Sequence, residues 1–187
     1  DKGIYTGGNV APATKHLKNV MLMSAAASAT STTNGRQEIA VCDYLLYYPF
    51  IDTDAIGEEQ VLDNTVPLPR YTSGKVVAVA QSASSTVGQF TFTYTNQDGV
   101  AGRVSQNNFT FIVAGGGQVV GASGAGASFN PFCYLQAGDT GVRSIESVTF
   151  TAAGGGLMCL VIVKPLIKSV VSQESRRTTS GNLESYG

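Results

Sequence analysis

The sequence predicts an all-β fold, an antiparallel β-sandwich of jelly-roll-like type with extended arms at both ends. Two observations predict it. Bulky apolar residues recur with period two along most of the chain, and helical periodicity is nearly absent. Glycine- and proline-bearing turn signals divide that pattern into about eight short strands, the spacing of a sandwich or barrel. A chain of 187 residues is long enough to bury a core without metal or disulfides.

In chain order, the first strand candidate is NVMLMS, Asn19 to Ser24, followed by QEIAVCDYLLYY, Gln37 to Tyr48. TDAIGEEQVL, Thr53 to Leu62, is the best helix candidate, but Gly57 interrupts it and only a short turn is expected. TVPLP is a further short strand candidate, and KVVAVAQS, Lys75 to Ser82, is rich in β-branched and small residues. QFTFTYT, Gln89 to Thr95, puts Phe90, Phe92 and Tyr94 on one face and three threonines on the other. NQDG, Asn96 to Gly99, reads as the hairpin loop that follows, with Gly99 supplying the positive φ. NFTFIVA, Asn108 to Ala114, and SIESVTFTA, Ser144 to Ala152, repeat the alternating pattern. LMCLVIVKPL reads as a buried strand stopped by Pro165, and AAGGG just before it as a hairpin turn from SVTFTA. The glycine cluster from Ala114 to Ser128 reads as a loop. Neither glycine cluster meets the Lys-Ser/Thr pair that a phosphate-binding loop requires. The expected domain spans residues 19–168, with an N-terminal arm at 1–18 and a polar C-terminal arm or linker at 169–187.

Composition narrows the function classes. Charged residues are only 13% of the chain, against about 25% in an average soluble domain. The net charge of −1 carries no basic stripe, so nucleic acid is not an expected partner. LMCLVIV, the longest apolar run, is strand length, so no membrane-spanning helix is expected. Cys42, Cys133 and Cys159 are odd in number and contain no Cys-x-x-Cys, so no zinc or redox motif is present. Cys42 and Cys159 lie in apolar strands and read as small core residues.

Candidate chemistry is sparse. His16, the only histidine, lies between two lysines near the start and reads as a solvated surface residue, which leaves no general base of the usual kind. Asp52, Asp54, Glu58 and Glu59 could form a structural loop, a calcium site or an acid pair. The calcium-loop pattern Asp-x-Asp-x-Asp-Gly is not met. DTG at Asp139 matches an aspartic-protease triplet but stands alone, and a turn with an internal Asp139–Arg143 pair is the expected role. No catalytic, cofactor or metal residue is assigned. The aromatic cluster YYPFID and the rigid PLPRYTSG make Tyr47, Tyr48, Phe50, Arg70 and Tyr71 the candidate interface residues. The same aromatics would also suit a carbohydrate- or receptor-binding platform.

LLYYPFIDTD, DNTVPLPRYTSG, FTFTYTNQDGVAGR, LQAGDTGVRSIESVTF and GGGLMCLVIVKPL, which span Leu45 to Leu166, together resemble a family of tailed-bacteriophage virion structural proteins. The resemblance implies a non-enzymatic particle protein. Its fold type and size point to a capsid cement or decoration protein on the capsid surface, which binds the major capsid protein and associates with itself as a trimer. A tail, neck or head-fibre component is the alternative within the same class, and a glycan-degrading enzyme using the carboxylates is the alternative outside it. No cofactor is expected.

Overall fold

The computed structural model describes residues 21–22, 36–62, 73–110, 116–117, 119, 121–122, 131–172 and 179–180. Within them lie strands β1 (Met21–Leu22), β2 (Arg36–Asp52), β3 (Glu59–Val61), β4 (Lys75–Ala80), β5 (Gln89–Asn96) and β6 (Arg103–Val104). The series continues with β7 (Asn108–Thr110), β8 (Gly121–Ala122), β9 (Val142–Ala152), β10 (Leu157–Ser172) and β11 (Thr179–Ser180). Residues Cys42–Pro165 form one compact unit, and Asp1–Val41 with Leu166–Gly187 group as a second. In the second unit β1 pairs antiparallel with β11, Met21 opposite Ser180 and Leu22 opposite Thr179. The expected N-terminal arm, residues 1–18, lies outside the described residues. So does most of 169–187, apart from the end of β10 and β11.

The first unit is a sandwich of two antiparallel sheets. A three-stranded sheet has the order β2-β10-β4, and a six-stranded sheet has the order β3-β9-β5-β7-β8 with β6 beside β5. Alternation explains why they stack. In β5, Phe90, Phe92 and Tyr94 are buried while Thr91, Thr93 and Thr95 are half-buried on the opposite face. β9 contributes Val142, Ile145, Val148 and Phe150, and Phe90 lies directly opposite Phe150 with ring centroids 5.3 Å apart. Facing them are Val76, Ala78 and Ala80 of β4, Met158, Leu160 and Ile162 of β10, and Tyr48 and Ile51 of β2. The β5–β9 register shifts at three points, between Gln89 and Phe90, Thr93 and Tyr94, and Thr95 and Asn96. Each shift is the kind of irregularity that bends and twists a sheet.

The three-stranded sheet is apolar on its second side as well. Val77, Val161 and Val163 form a separate buried cluster, with Cys42, Val79, Phe132 and Cys159 packed against it. This is why KVVAVA and LMCLVIV read as unbroken apolar runs rather than alternating ones.

Two local expectations are corrected. Pro165 does not stop its strand: β10 runs on to Ser172. The last β4 partner is Lys75, opposite Val163, so the missing N–H of Pro165 lies beyond the β4 ladder and breaks no bond there. From Thr53 to Leu62 the chain makes the expected short turn, at Thr53–Asp54, and then adds β3, which pairs with β9. AAGGG is not a hairpin turn, because β9 and β10 belong to different sheets. It is an arch between the layers, fastened by Thr53 N to Gly156 O (3.1 Å), Gly154 N to Thr53 O (3.0 Å) and Ser85 N to Gly155 O (3.2 Å). By contrast, the loop after β5 closes as expected. Gly99 has φ +82°, and the Asn96 side-chain oxygen accepts from Asp98 N and Val100 N.

The arch yields a stability prediction. Gly156 has φ +127°, and a Cβ there would stand 2.5 Å from the carbonyl oxygen of Ala83. Gly156→Ala is expected to cost roughly 2–3 kcal/mol through strain and backbone displacement. A thermal melt would show it, whereas alanine at the exposed Val87 should change little.

Candidate functional site

β2 is an outer strand of its sheet, and its sequence breaks the period of two. Tyr48 and Ile51 are both buried although three residues apart. The extra residue is accommodated at Pro49-Phe50, where Phe50 takes φ +60°. This is the left-handed region, uncommon for a bulky side chain and costing about 1–2 kcal/mol. Proline is tolerated here because an outer strand has one free side. The kink aims Phe50 outward: it is 74% exposed, and its N–H donates to Gln81 Oε1 at 2.5 Å. Tyr44 is 59% and Tyr47 48% exposed, with their ring centroids 6.0 Å apart and planes tilted by 43°. The Tyr44 phenol is pushed up, first by partial burial and then by Cys159 and Tyr47.

The residues singled out from sequence therefore separate. Tyr47 and Phe50 lie on this surface. Tyr48 belongs to the core, where its hydroxyl accepts from Ile145 N at 2.8 Å and burial pushes its phenol to about 12. Arg70, Tyr71 and His16 lie outside the described residues. Tyr44 joins the surface although the sequence pattern did not single it out. The tyrosines three apart in DYLLYY were the available signal, but the kink that lets Tyr48 and Ile51 both turn inward leaves no mark in the alternation.

The exposed carboxylates beside this strand build loops. Asp52 Oδ1 accepts from Asp54 N at 2.9 Å, and Asp54 Oδ1 accepts from Gly155 N at 2.9 Å. Gln60 Oε1 accepts from Asp52 N while its amide donates to Asp52 O, at 2.8 and 2.7 Å, and this ties β2 to β3. Among the described residues no three His, Cys, Asp or Glu side chains gather where they could hold a metal ion. Where the arch meets the end of the sandwich, Thr53, Ser84, Thr110, Gly155 and Met158 line a concavity with room for ≈ 10 Å³, about one water molecule.

A second cluster lies at the β5–β6 hairpin. The Asp139 side chain is 4% exposed and accepts from Arg103 Nε (2.9 Å), Tyr94 Oη (2.6 Å) and Asn96 Nδ2 (2.9 Å). Tyr94 Oη in turn accepts from Gln136 N at 2.9 Å. The expected Asp139–Arg143 pair does not form. Arg143 Nε donates instead to Gln97 O at 2.9 Å, because the strand carries it toward the hairpin loop while β6 brings Arg103 to the carboxylate. Desolvation alone would raise the Asp139 carboxyl. The hydrogen bonds from Arg103, Tyr94 and Asn96 and the guanidinium charge outweigh it and hold the group at about 2. Burial and the Asp139 bond push the Tyr94 phenol to about 12. Asp139 joins the other three groups, and the cluster acts as a lock between β5, β6 and the 135–141 loop.

Comparison of the chain with protein-family models, with curated proteins and with solved structures finds no match. The surface on β2 is thus weighed on its own chemistry. Cys133 is buried and its thiol pushed to about 12, while Cys42 and Cys159 are half-buried against the outer valine cluster. All three sit among apolar neighbours, the setting of an inert rather than a nucleophilic thiol. Among the described residues no helix is long and apolar enough to cross a membrane.

Proposed function

We propose that the chain is a non-enzymatic structural component of a tailed-phage virion, a decoration protein that binds the major capsid protein lattice and stabilises it as a self-associating, trimeric cement. The observation that carries this reading is the outer strand β2 with Tyr44, Tyr47 and Phe50 held outward, one of them at the cost of backbone strain. Exposed aromatics on an outer strand suit burial against another protein. The strain gives a reason to regard Phe50 as placed for contact. A flat sugar platform is less well supported, because the Tyr44 and Tyr47 rings are not coplanar. A tail, neck or head-fibre position would use the same surface at fewer copies.

The reading is tested by adding purified chain to phage shells that lack it and sedimenting the mixture. Saturable co-sedimentation is expected, with a higher shell disruption temperature, and it should be lost in a variant carrying Tyr44→Ser, Tyr47→Ser and Phe50→Gly. Failure of the unmodified chain to sediment with shells at micromolar concentration would overturn it.

A further inference from the structure

Between Arg36 and Arg70 the chain carries seven carboxylates and no lysine or arginine. The described part of that segment is β2, the turn after it and β3. Asp52, Asp54, Glu58 and Glu59 are all exposed there, at the same end of β2 as Phe50. Asp43 is exposed beside Tyr44 at the other end, and β10, the strand next to β2, carries Lys164 and Lys168, so the excess of negative charge lies at the Phe50 end. From Tyr44 to Asp52 the strand covers about 26 Å at the usual rise per residue. That is the length of an extended peptide of about eight residues.

Two kinds of negative potential coincide on this strip. Carboxylates carry full charges, and the faces of tyrosine and phenylalanine rings carry the negative lobe of the ring quadrupole. An arginine side chain answers both, because its planar guanidinium pairs with carboxylate and stacks on an aromatic face. Lysine, a compact and strongly hydrated charge, answers mainly the first. Nucleic acid, with its own negative backbone, is repelled.

We propose that the acidic, aromatic strip along β2 binds a basic, arginine-bearing polypeptide segment of a partner protein. The proposal rests on reading β2 as a docking surface and names the chemistry of what docks there. It also gives a use to the strained Phe50. A glycine at φ +60° would be free of the strain but would leave no ring at the acidic end of the strip. Gln81 accepts from the Phe50 N–H and so braces the backbone at the kink.

The test uses the full chain and three labelled octapeptides that alternate serine with arginine, lysine or glutamate, titrated by fluorescence anisotropy. The arginine peptide is expected to bind about three- to fivefold tighter than the lysine peptide, the glutamate peptide not at all. Raising salt from about 50 to about 300 mM should weaken binding roughly tenfold. Phe50→Gly and Tyr47→Ser should abolish the preference for arginine while leaving the melting temperature unchanged or, for Phe50→Gly, raised. Asp52→Asn with Glu59→Gln should flatten the salt dependence while keeping side-chain hydrogen-bond acceptors at both positions. Equal affinity for arginine and lysine that survives loss of the aromatic rings would overturn the proposal, as would absence of arginine-peptide binding at low salt. Shell binding by a chain that ignores the arginine peptide would overturn this proposal alone and leave the decoration reading standing.

Discussion

Phe150→Ala is expected to cost about 3–5 kcal/mol, the range for deleting a fully buried phenylalanine, which lowers the melting temperature by roughly 6–20 °C in a chain of this size. Phe150 is wholly buried near the end of β9. Its ring packs on Phe90 of the neighbouring strand, and its carbonyl accepts from Gly57 N at 2.8 Å, which anchors the turn before β3. The lost side chain would therefore leave a cavity between the two sheets, lined by groups already fixed by their own strands. Thermal melts of Phe150→Ala and Phe150→Leu measure the effect, with the leucine variant expected to recover more than half of it. A loss below about 1 kcal/mol would mean that the two layers do not share one core at this point.

Asp139→Ala is the second large effect, expected at about 3 kcal/mol, because it strands the buried Tyr94 hydroxyl and Asn96 amide and releases Arg103. Asp139→Asn should retain part of the hydrogen bonding but lose the charge. The same lock predicts a pH dependence. Asp139 is held at about 2 in the folded chain, below the unfolded value of about 3.9. Its contribution is thus fully present above about pH 4 and fades as pH falls toward 2. Tyr94 moves the other way. Raised to about 12, it contributes below its unfolded value near pH 10, and that part is lost as pH rises toward 12. Urea midpoints at several pH values for the unmodified chain and Asp139→Asn check both signs: the variant should lose the acid-side slope and keep most of the alkaline one.

How much of this was legible in the sequence depends on the range of each contact. Phe90, Phe92 and Tyr94 alternate with threonines, and this local pattern was enough to place β5 and its inward face. The apolar runs in β4 and β10 likewise identify strands buried on both faces. Partner choice was less visible. AAGGG has the chemistry of a tight turn, but turn chemistry does not say whether the next strand returns to the same sheet or crosses to the other. Asp139 found Arg103, 36 positions away, rather than Arg143 four positions on, because β6 lies against β5. At the candidate surface the difficulty was parity. The kink at Phe50 lets Tyr48 and Ile51, three positions apart, both turn inward, and such a shift depends on the backbone rather than on residue type.

The proposed decoration role implies attachment repeated by symmetry across a particle surface, and it is tested most directly by the number of copies per virion, measured by quantitative mass spectrometry against the major capsid protein. A lattice-binding trimer predicts hundreds of copies in fixed proportion to the capsid subunit. A count of roughly a dozen, the number set by a single tail or neck ring, would contradict it.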